Sequence, residues 1–134
     1  MMMRTRIISM VAATCLSSQA WGEGIADVDG VTNGLITAGI VETIDDTCTT
    51  ISVRKIRGLL YLRSLYNMAS NAGFEHAEIE AYVDDEDEEA RLRARADAWL
   101  ASEGAVTGDE ESYCAVGRDH IARATQIGVL LRAE

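Results

Sequence analysis

The chain has 134 residues, with 22 acidic and 12 basic side chains, no proline and a formal net charge of −10. This length corresponds to one domain with a modest core. Because so acidic a surface repels nucleic acids and anionic lipids, neither is expected as a partner.

The first 22 residues have the three-part pattern of a secretory signal peptide. Two arginines precede the apolar run IISMVAATCL, and the small residues Ala20 and Gly22 flank Trp21. We predict cleavage after Gly22, or alternatively after Ala20, and a periplasmic or secreted mature protein. The apolar run is too short for a bilayer span, which needs roughly 20 residues, and no later run is longer. An uncleaved anchor or a buried first helix is the alternative interpretation.

Removal of residues 1–22 leaves two of the three cysteines, Cys48 and Cys114. In an oxidising compartment these two are expected to form a disulfide. Two free buried thiols are the alternative, and a metal site is disfavoured because neither cysteine has a second Cys or His at ligand spacing. The mature chain, with ten bases and 22 acids, has a net charge of −12. We expect residues 23–134 to form one helical domain, with a flexible segment at 23–31.

The composition favours helices, because Ala, Leu, Glu and Arg are plentiful and no hairpin signal is present. We predict an all-α fold, a compact bundle of four to five helices with one disulfide. The first helix is expected from about Thr32 to Cys48, with a stripe of isoleucines at positions 36, 40 and 44.

Ser52 is the expected N-cap of a second helix that ends at Asn71, before Gly73. Its segment GLLYLRSLY is apolar on nearly every side, which predicts a central position in the fold. Arg63 lies within this segment, and a buried cation needs a partner. We therefore expect a buried or half-buried ion pair or carbonyl contacts at Arg63, with an anionic ligand as the alternative partner.

A third, short helix is expected to begin after Glu75 and to end near Val83. Glu75 and Glu78 have the spacing of a capping box, and Phe74 and Ile79 occupy the two positions of a hydrophobic staple. This pattern restarts the helical chain after Gly73.

The segment YVDDEDEEARLRARADAWL predicts the start of a fourth helix. Asp85 and Glu88 have capping-box spacing, and acids in a first turn face the positive end of the helix dipole. Asp87 and Glu89 each lie four residues before an arginine, the favourable order for helix ion pairs. Cation binding or a recognition surface are the alternatives. The expected core-facing stripe is Leu92, Ala96, Trp99 and Leu100, and Gly104 ends the helix.

The last helix is predicted from about Glu110 to Arg132. Gly117 and Gly128 lie on one face of it and are expected to permit close approach of another helix. Because Cys114 lies at its beginning and Cys48 at the end of the first helix, the disulfide predicts that these two ends meet.

Candidate chemical sites are few. His76 and Glu80 are four residues apart on one helix face, as two metal ligands would be, but no third ligand can be named. Asp119 and His120 are adjacent and therefore point in different directions, so we expect His120 to face solvent or to bond locally. No catalytic set or cofactor site is recognised.

Four segments together resemble an uncharacterised family of small exported alphaproteobacterial proteins: NGLITAGIVETI, IRGLLYLRSL, AEIEAYV and YCAVGRDHIARATQIGVLLR. The resemblance covers most of residues 33–132. It implies an exported helical domain with two paired cysteines, Cys48 and Cys114, and it implies no activity.

The function expected from these features is that of an exported, periplasmic, non-catalytic interaction or accessory module, with another envelope protein as partner. One alternative is a small acid-stress chaperone, since protonation of the carboxylates would reverse the charge of the chain near their pKa of about 4. The other is an enzyme or small-ligand binder with an unrecognised site. The sequence sets no oligomeric state.

Overall fold

The computed structural model describes residues 24–134, and the predicted signal peptide, residues 1–22, lies outside this part of the chain. Residues 24–134 form six α-helices and a two-stranded sheet. The predicted helical fold is confirmed, although the structure has six helices rather than four to five and a small sheet that was not predicted. The elements in chain order are a 3-10 turn Ile25–Asp27, α1 Asp29–Thr47, β1 Ile51–Val53, α2 Lys55–Asn71, α3 His76–Val83, α4 Glu86–Ser102, α5 Glu110–Ala122, α6 Gln126–Val129 and β2 Leu131–Ala133.

Helix α1 is the centre of the fold, because α2, α4, α5 and β1 all pack against it. Its predicted stripe is fully buried at Ile40 and Ile44 and partly buried at Ile36. The prediction that α2 is central is wrong, since its buried residues are only Leu65 and Ala69. A helix that is apolar on every side becomes central only if neighbours surround it, and α2 packs mainly on α1.

The contact between α1 and α2 depends on glycines in α1. The side chain of Leu65 lies directly over Gly34, where an added Cβ would be 2.9 Å from Leu65 Cδ1 and 3.1 Å from Leu65 Cγ. One turn earlier, a Cβ at Gly30 would lie 3.0 Å from the sulfur of Met68. The two helices therefore approach more closely than side chains at these positions would allow.

The predicted starts of α3 and α4 are confirmed. Glu75 and Glu78 form the capping box of α3. The side chain of Asp85 accepts hydrogen bonds from the backbone N–H groups of Asp87 and Glu88, at 2.9 and 3.0 Å, and so caps α4.

The ion pairs of α4 agree with the sequence only in part. Glu89 pairs with Arg93 as predicted, at 3.7 Å, whereas Arg91 pairs with Glu88 at 3.0 Å rather than with Asp87. Residues three apart on a helix are neighbours as close as residues four apart, so the pattern alone could not choose between them.

A disulfide joins the end of α1 to the first turn of α5. The sulfurs of Cys48 and Cys114 are 2.05 Å apart, and both residues are buried. Beside them, Glu110 accepts hydrogen bonds from the backbone N–H of Thr49 at 2.9 Å and from its hydroxyl at 2.7 Å. The predicted pairing and the predicted meeting of the two helix ends are confirmed.

Ser52 does not cap α2 but lies in β1, which pairs antiparallel with β2 with Ser52 opposite Arg132. Its hydroxyl donates a hydrogen bond to Glu134. The N-cap of α2 is Arg54, whose backbone N–H donates to the carbonyl of Leu130. The partner strand is 80 residues away in sequence, so no local signal could reveal it.

The single last helix predicted from Glu110 to Arg132 is wrong. The helix ends at Ala122, Ala124 adopts a positive φ of 50°, and the Thr125 side chain caps a new turn, α6. Gly128 then lies so close to the end of α5 that a Cβ there would be 2.7 Å from the backbone nitrogen of Ile121. The predicted close approach at Gly117 is confirmed, but against the side chains of Ile44 and Ile51.

The segment 23–31, expected to be flexible, is described by the structure from residue 24 onward. Residues 24–31 contain the 3-10 turn and the beginning of α1. Ile25 and Val31 are buried in a second, smaller core with Ala69 and Ile79. Burial of these two side chains fixes the segment against α2 and α3.

Candidate functional site

An open groove with a mostly apolar lining, about 630 Å³ in volume, lies on the described part of the chain. Helix α1 forms its floor, α2 and α4 form its walls, and the end of α3 closes one side. Its lining is mostly apolar and consists of Leu35, Ala38, Gly39, Val41, Glu42, Asp45, Val53, Lys55, Gly58, Leu59, Tyr61, Leu62, Tyr82, Val83, Glu89, Leu92, Arg93 and Leu130.

The wall formed by α2 exposes an unusual amount of apolar surface. Ile56, Leu59, Leu60 and Leu62 are 75%, 69%, 60% and 46% exposed. Leu59 and Leu62 line the groove, whereas Ile56 and Leu60 lie outside it. Large contiguous apolar patches on a protein surface mark interaction sites more often than chance would give. The sequence showed the apolar character of α2 but not its exposure.

Charged side chains surround the apolar lining of the groove. Glu42, Asp45 and Glu89 contribute negative charge, and Lys55 and Arg93 contribute positive charge. Three of these five groups are already engaged within the chain. A carboxylate oxygen of Asp45 accepts a hydrogen bond from the backbone N–H of Val53 at 3.1 Å, and Glu89 pairs with Arg93.

Arg63 is exposed on α2, and among residues 24–134 no ion pair or hydrogen bond involves its guanidinium. The expectation of a buried or half-buried ion pair at this position is therefore wrong. The exposed leucines of α2 have the same cause: within residues 24–134, no other element packs on the face of α2 that carries Arg63. As a candidate for binding an anionic ligand, Arg63 remains a prediction.

His76 and Glu80 do lie together on α3, as their spacing indicated. The His76 Nε2 is 3.0 Å from a carboxylate oxygen of Glu80, and its Nδ1 is 2.8 Å from the hydroxyl of Tyr66. Both side chains are about two-thirds exposed. Within the described residues no third ligating side chain joins them, so the pair serves to link α3 to α2.

A second polar cluster, at the junction of α4 and α5, was missed by the sequence analysis. Ligating atoms of Glu103, Asp119 and His120 lie within 4.8 Å of one another, an arrangement that could hold a metal ion. The guanidinium of Arg123 already occupies this region, 2.5 Å from Asp119 Oδ2 and 3.2 Å from His120 Nε2. Since a metal ion would have to displace this cation, the arrangement is better described as an arginine-centred network.

The environment of His120 explains the shape of this network. Its ring is buried, its centroid lies 5.1 Å from that of Trp99 with the two ring planes tilted by 56°, and it shares a hydrogen bond of 2.8 Å with the hydroxyl of Thr125. The expectation of local bonding is confirmed, while that of solvent exposure is wrong. Hydrogen bonds from Arg123 lower the pKa of Asp119, because they stabilise the ionised carboxylate.

None of the described helices combines the length and the apolar character that crossing a bilayer requires. No curated protein and no solved structure matches the chain. Residues 23–132 match a family that is described as Family of unknown function (DUF5333). Because this match covers most of the 134 residues, the chain belongs to DUF5333, in agreement with the uncharacterised family that the four sequence segments resembled.

Proposed function

We propose that this protein is an exported, non-catalytic interaction module that binds an apolar protein segment in the groove between α1, α2 and α4. The observation that carries the proposal is the exposure of Leu59 and Leu62 along a groove with an apolar lining. Full burial of a leucine side chain contributes about 1.5–3 kcal/mol. Covering this surface would therefore supply a substantial part of a binding free energy.

The chemistry of the groove supports binding rather than catalysis. Its lining includes no Ser, Cys or His, the side chains that most often act as nucleophiles or transfer protons. The carboxylate of Asp45 and the pair Glu89–Arg93 are held by contacts within the chain. Polar groups that converge on one point, as a substrate would need, are not found in this lining.

Two observations support export to the periplasm. Residues 1–22 have the charge and hydropathy pattern of a signal peptide. The disulfide between Cys48 and Cys114 is of a kind that persists in oxidising compartments and is rare where thiols are kept reduced.

Site-specific photo-crosslinking in the producing organism tests this proposal. A photoreactive amino acid replaces Leu62 in the groove or, as a matched control, Val106 in the α4–α5 connection, which is 58% exposed. We expect a discrete protein adduct from position 62 and none of the same mass from position 106. Equal labelling from both positions, or no adduct from position 62, would refute binding in the groove.

A second candidate, the acid-stress chaperone, is favoured by the same exposed leucines, since unfolded clients bind to apolar surfaces. Light scattering of an aggregating client protein at pH 3 and pH 7 tests it. Protection at pH 3 that is lost in Leu59→Arg, which is charged at this pH, supports this candidate, and no protection at pH 3 removes it.

A further inference from the structure

The charge of α2 is opposite to that of the rest of the chain. Residues 47–74 contain Arg54, Lys55, Arg57 and Arg63 and no acidic side chain. The other described residues carry six basic and 21 acidic side chains. The exposed leucines therefore belong to a basic helix on an otherwise strongly acidic protein.

The opposite side of the groove has the complementary character. Of the four consecutive acids that begin α4, Glu86 to Glu89, only Glu89 lines the groove, together with Arg93 of the same helix. Helix α1 adds Glu42 and Asp45, so the charged side chains that α1 and α4 present to the groove are three acids and one base. Apolar side chains of the same two helices, among them Leu35 and Leu92, lie between these acids. One wall of the groove is thus basic and apolar, and the surfaces facing it are acidic and apolar.

We infer that the segment bound in the groove is α2 of a second copy of this chain. In a two-fold symmetric dimer each α2 packs its leucines toward the groove of the other copy. Lys55 and Arg63 then lie against the acids of the partner's α1 and α4, whereas Arg57 donates a hydrogen bond to the carbonyl of Val129 in its own chain. This inference rests on the proposed function and names the partner that the groove takes.

Symmetry favours a second copy over the other occupants of such a surface. A two-fold interface uses the same patch on both molecules, so one contact covers both the leucines of α2 and the acidic walls of the groove. An anionic lipid surface would attract the bases but would repel Glu42, Asp45 and Glu89 at the same groove. An unrelated basic helix would pair with the acids and leave the bases of α2 without partners.

Sedimentation equilibrium of the protein purified from its producing organism tests this inference. We expect a concentration-dependent dimer, and Leu59→Glu or Leu60→Glu should raise its dissociation constant about 10- to 100-fold. Val106→Glu, at an equally exposed apolar position outside the groove, should leave the constant unchanged. The helical signal in the circular dichroism spectrum of each variant establishes that the variant is folded.

The effect of salt and of charge reversal on the dissociation constant provides an independent test of the same dimer. Because bases of α2 face acids of the second copy, the dissociation constant should rise with salt concentration and with Arg63→Glu. Arg118→Glu on α5, whose side chain pairs with Glu111 away from the groove, is the matched control.

The possible results distinguish a failure of this inference from a failure of the proposed function. A protein that stays monomeric at 100 µM, or a dimer unaffected by Leu59→Glu, overturns the second copy as occupant. If the crosslink from position 62 then joins a different protein, groove binding itself survives. Leucine-dependent binding of a monomer to vesicles of anionic phospholipid would overturn both.

Discussion

The substitution Gly34→Ala should weaken the contact between α1 and α2, although alanine is the better helix former. The added Cβ would lie 2.9 Å from Cδ1 and 3.1 Å from Cγ of Leu65, which is 4% exposed and cannot turn into solvent. Overpacking of this kind costs about 1–3 kcal/mol, and the gain in helix propensity offsets about 1 kcal/mol. We expect a net loss of up to about 2 kcal/mol.

The same helix offers a matched control for this substitution. A Cβ at Gly39 would lie 3.4 Å from the Cβ of Ala96, an ordinary van der Waals distance. Gly39→Ala should therefore stabilise the protein by about 0.5–1 kcal/mol. Urea denaturation of the oxidised proteins, followed by helical circular dichroism, measures both changes in the free energy of unfolding.

A double-mutant cycle identifies the side chain responsible. Leu65→Ala alone should cost about 2–5 kcal/mol through the cavity it leaves. Combined with Gly34→Ala it should cost less than the sum of the two single changes by at least about 1 kcal/mol, because the new methyl group occupies vacated space. Strictly additive changes, or a Gly34→Ala protein as stable as Gly39→Ala, would refute the packing argument.

Three further predictions concern the other end of the domain. Gly128→Ala should destabilise the protein by more than about 3 kcal/mol, because the added methyl group would meet backbone atoms at the end of α5, which cannot rotate away. Thermal unfolding measures this loss, and a Tm near that of the wild type would contradict the prediction. Cys48→Ser opens the 66-residue loop that the disulfide closes and should lower the free energy of unfolding by about 4 kcal/mol. Urea titration measures this change, and equal stability of wild type and variant would show that the disulfide adds little. The hydrogen bonds from Thr49 lower the pKa of Glu110 below its ordinary value of 4.5, so its contribution to stability is present above pH 4.5 and is lost as the pH falls through the lowered pKa. Glu110→Gln should accordingly reduce the dependence of stability on pH in that acidic window, and an unchanged pH profile would argue against this role.

Features that depend on near neighbours in the chain could be read from the sequence. The capping box of α3, the Asp85 cap of α4 and the glycines that end α2 and α4 all act within one helical turn. The pairing of Cys48 with Cys114 was also predictable, because removal of the predicted signal peptide would leave no other partner.

The sequence predicted the apolar character of the candidate site but not the exposure of its side chains. The sequence revealed that α2 is apolar on all sides and carries Arg63, and it led to the wrong conclusion that other helices cover both. Periodicity shows which faces of a helix avoid water, but it does not show what lies against them. The groove and its exposed leucines follow from the packing of α2 on one side only.

The sequence by itself determined the helical class, the starts of α3 and α4 and the disulfide, because propensity, capping and cysteine number are local or countable properties. The tertiary structure decided that α1 rather than α2 is central, that the last helix breaks at Ala124, and that residues 51–53 pair with residues 131–133. These outcomes depend on contacts between residues far apart in the chain, whose free energies arise only when the helices have packed.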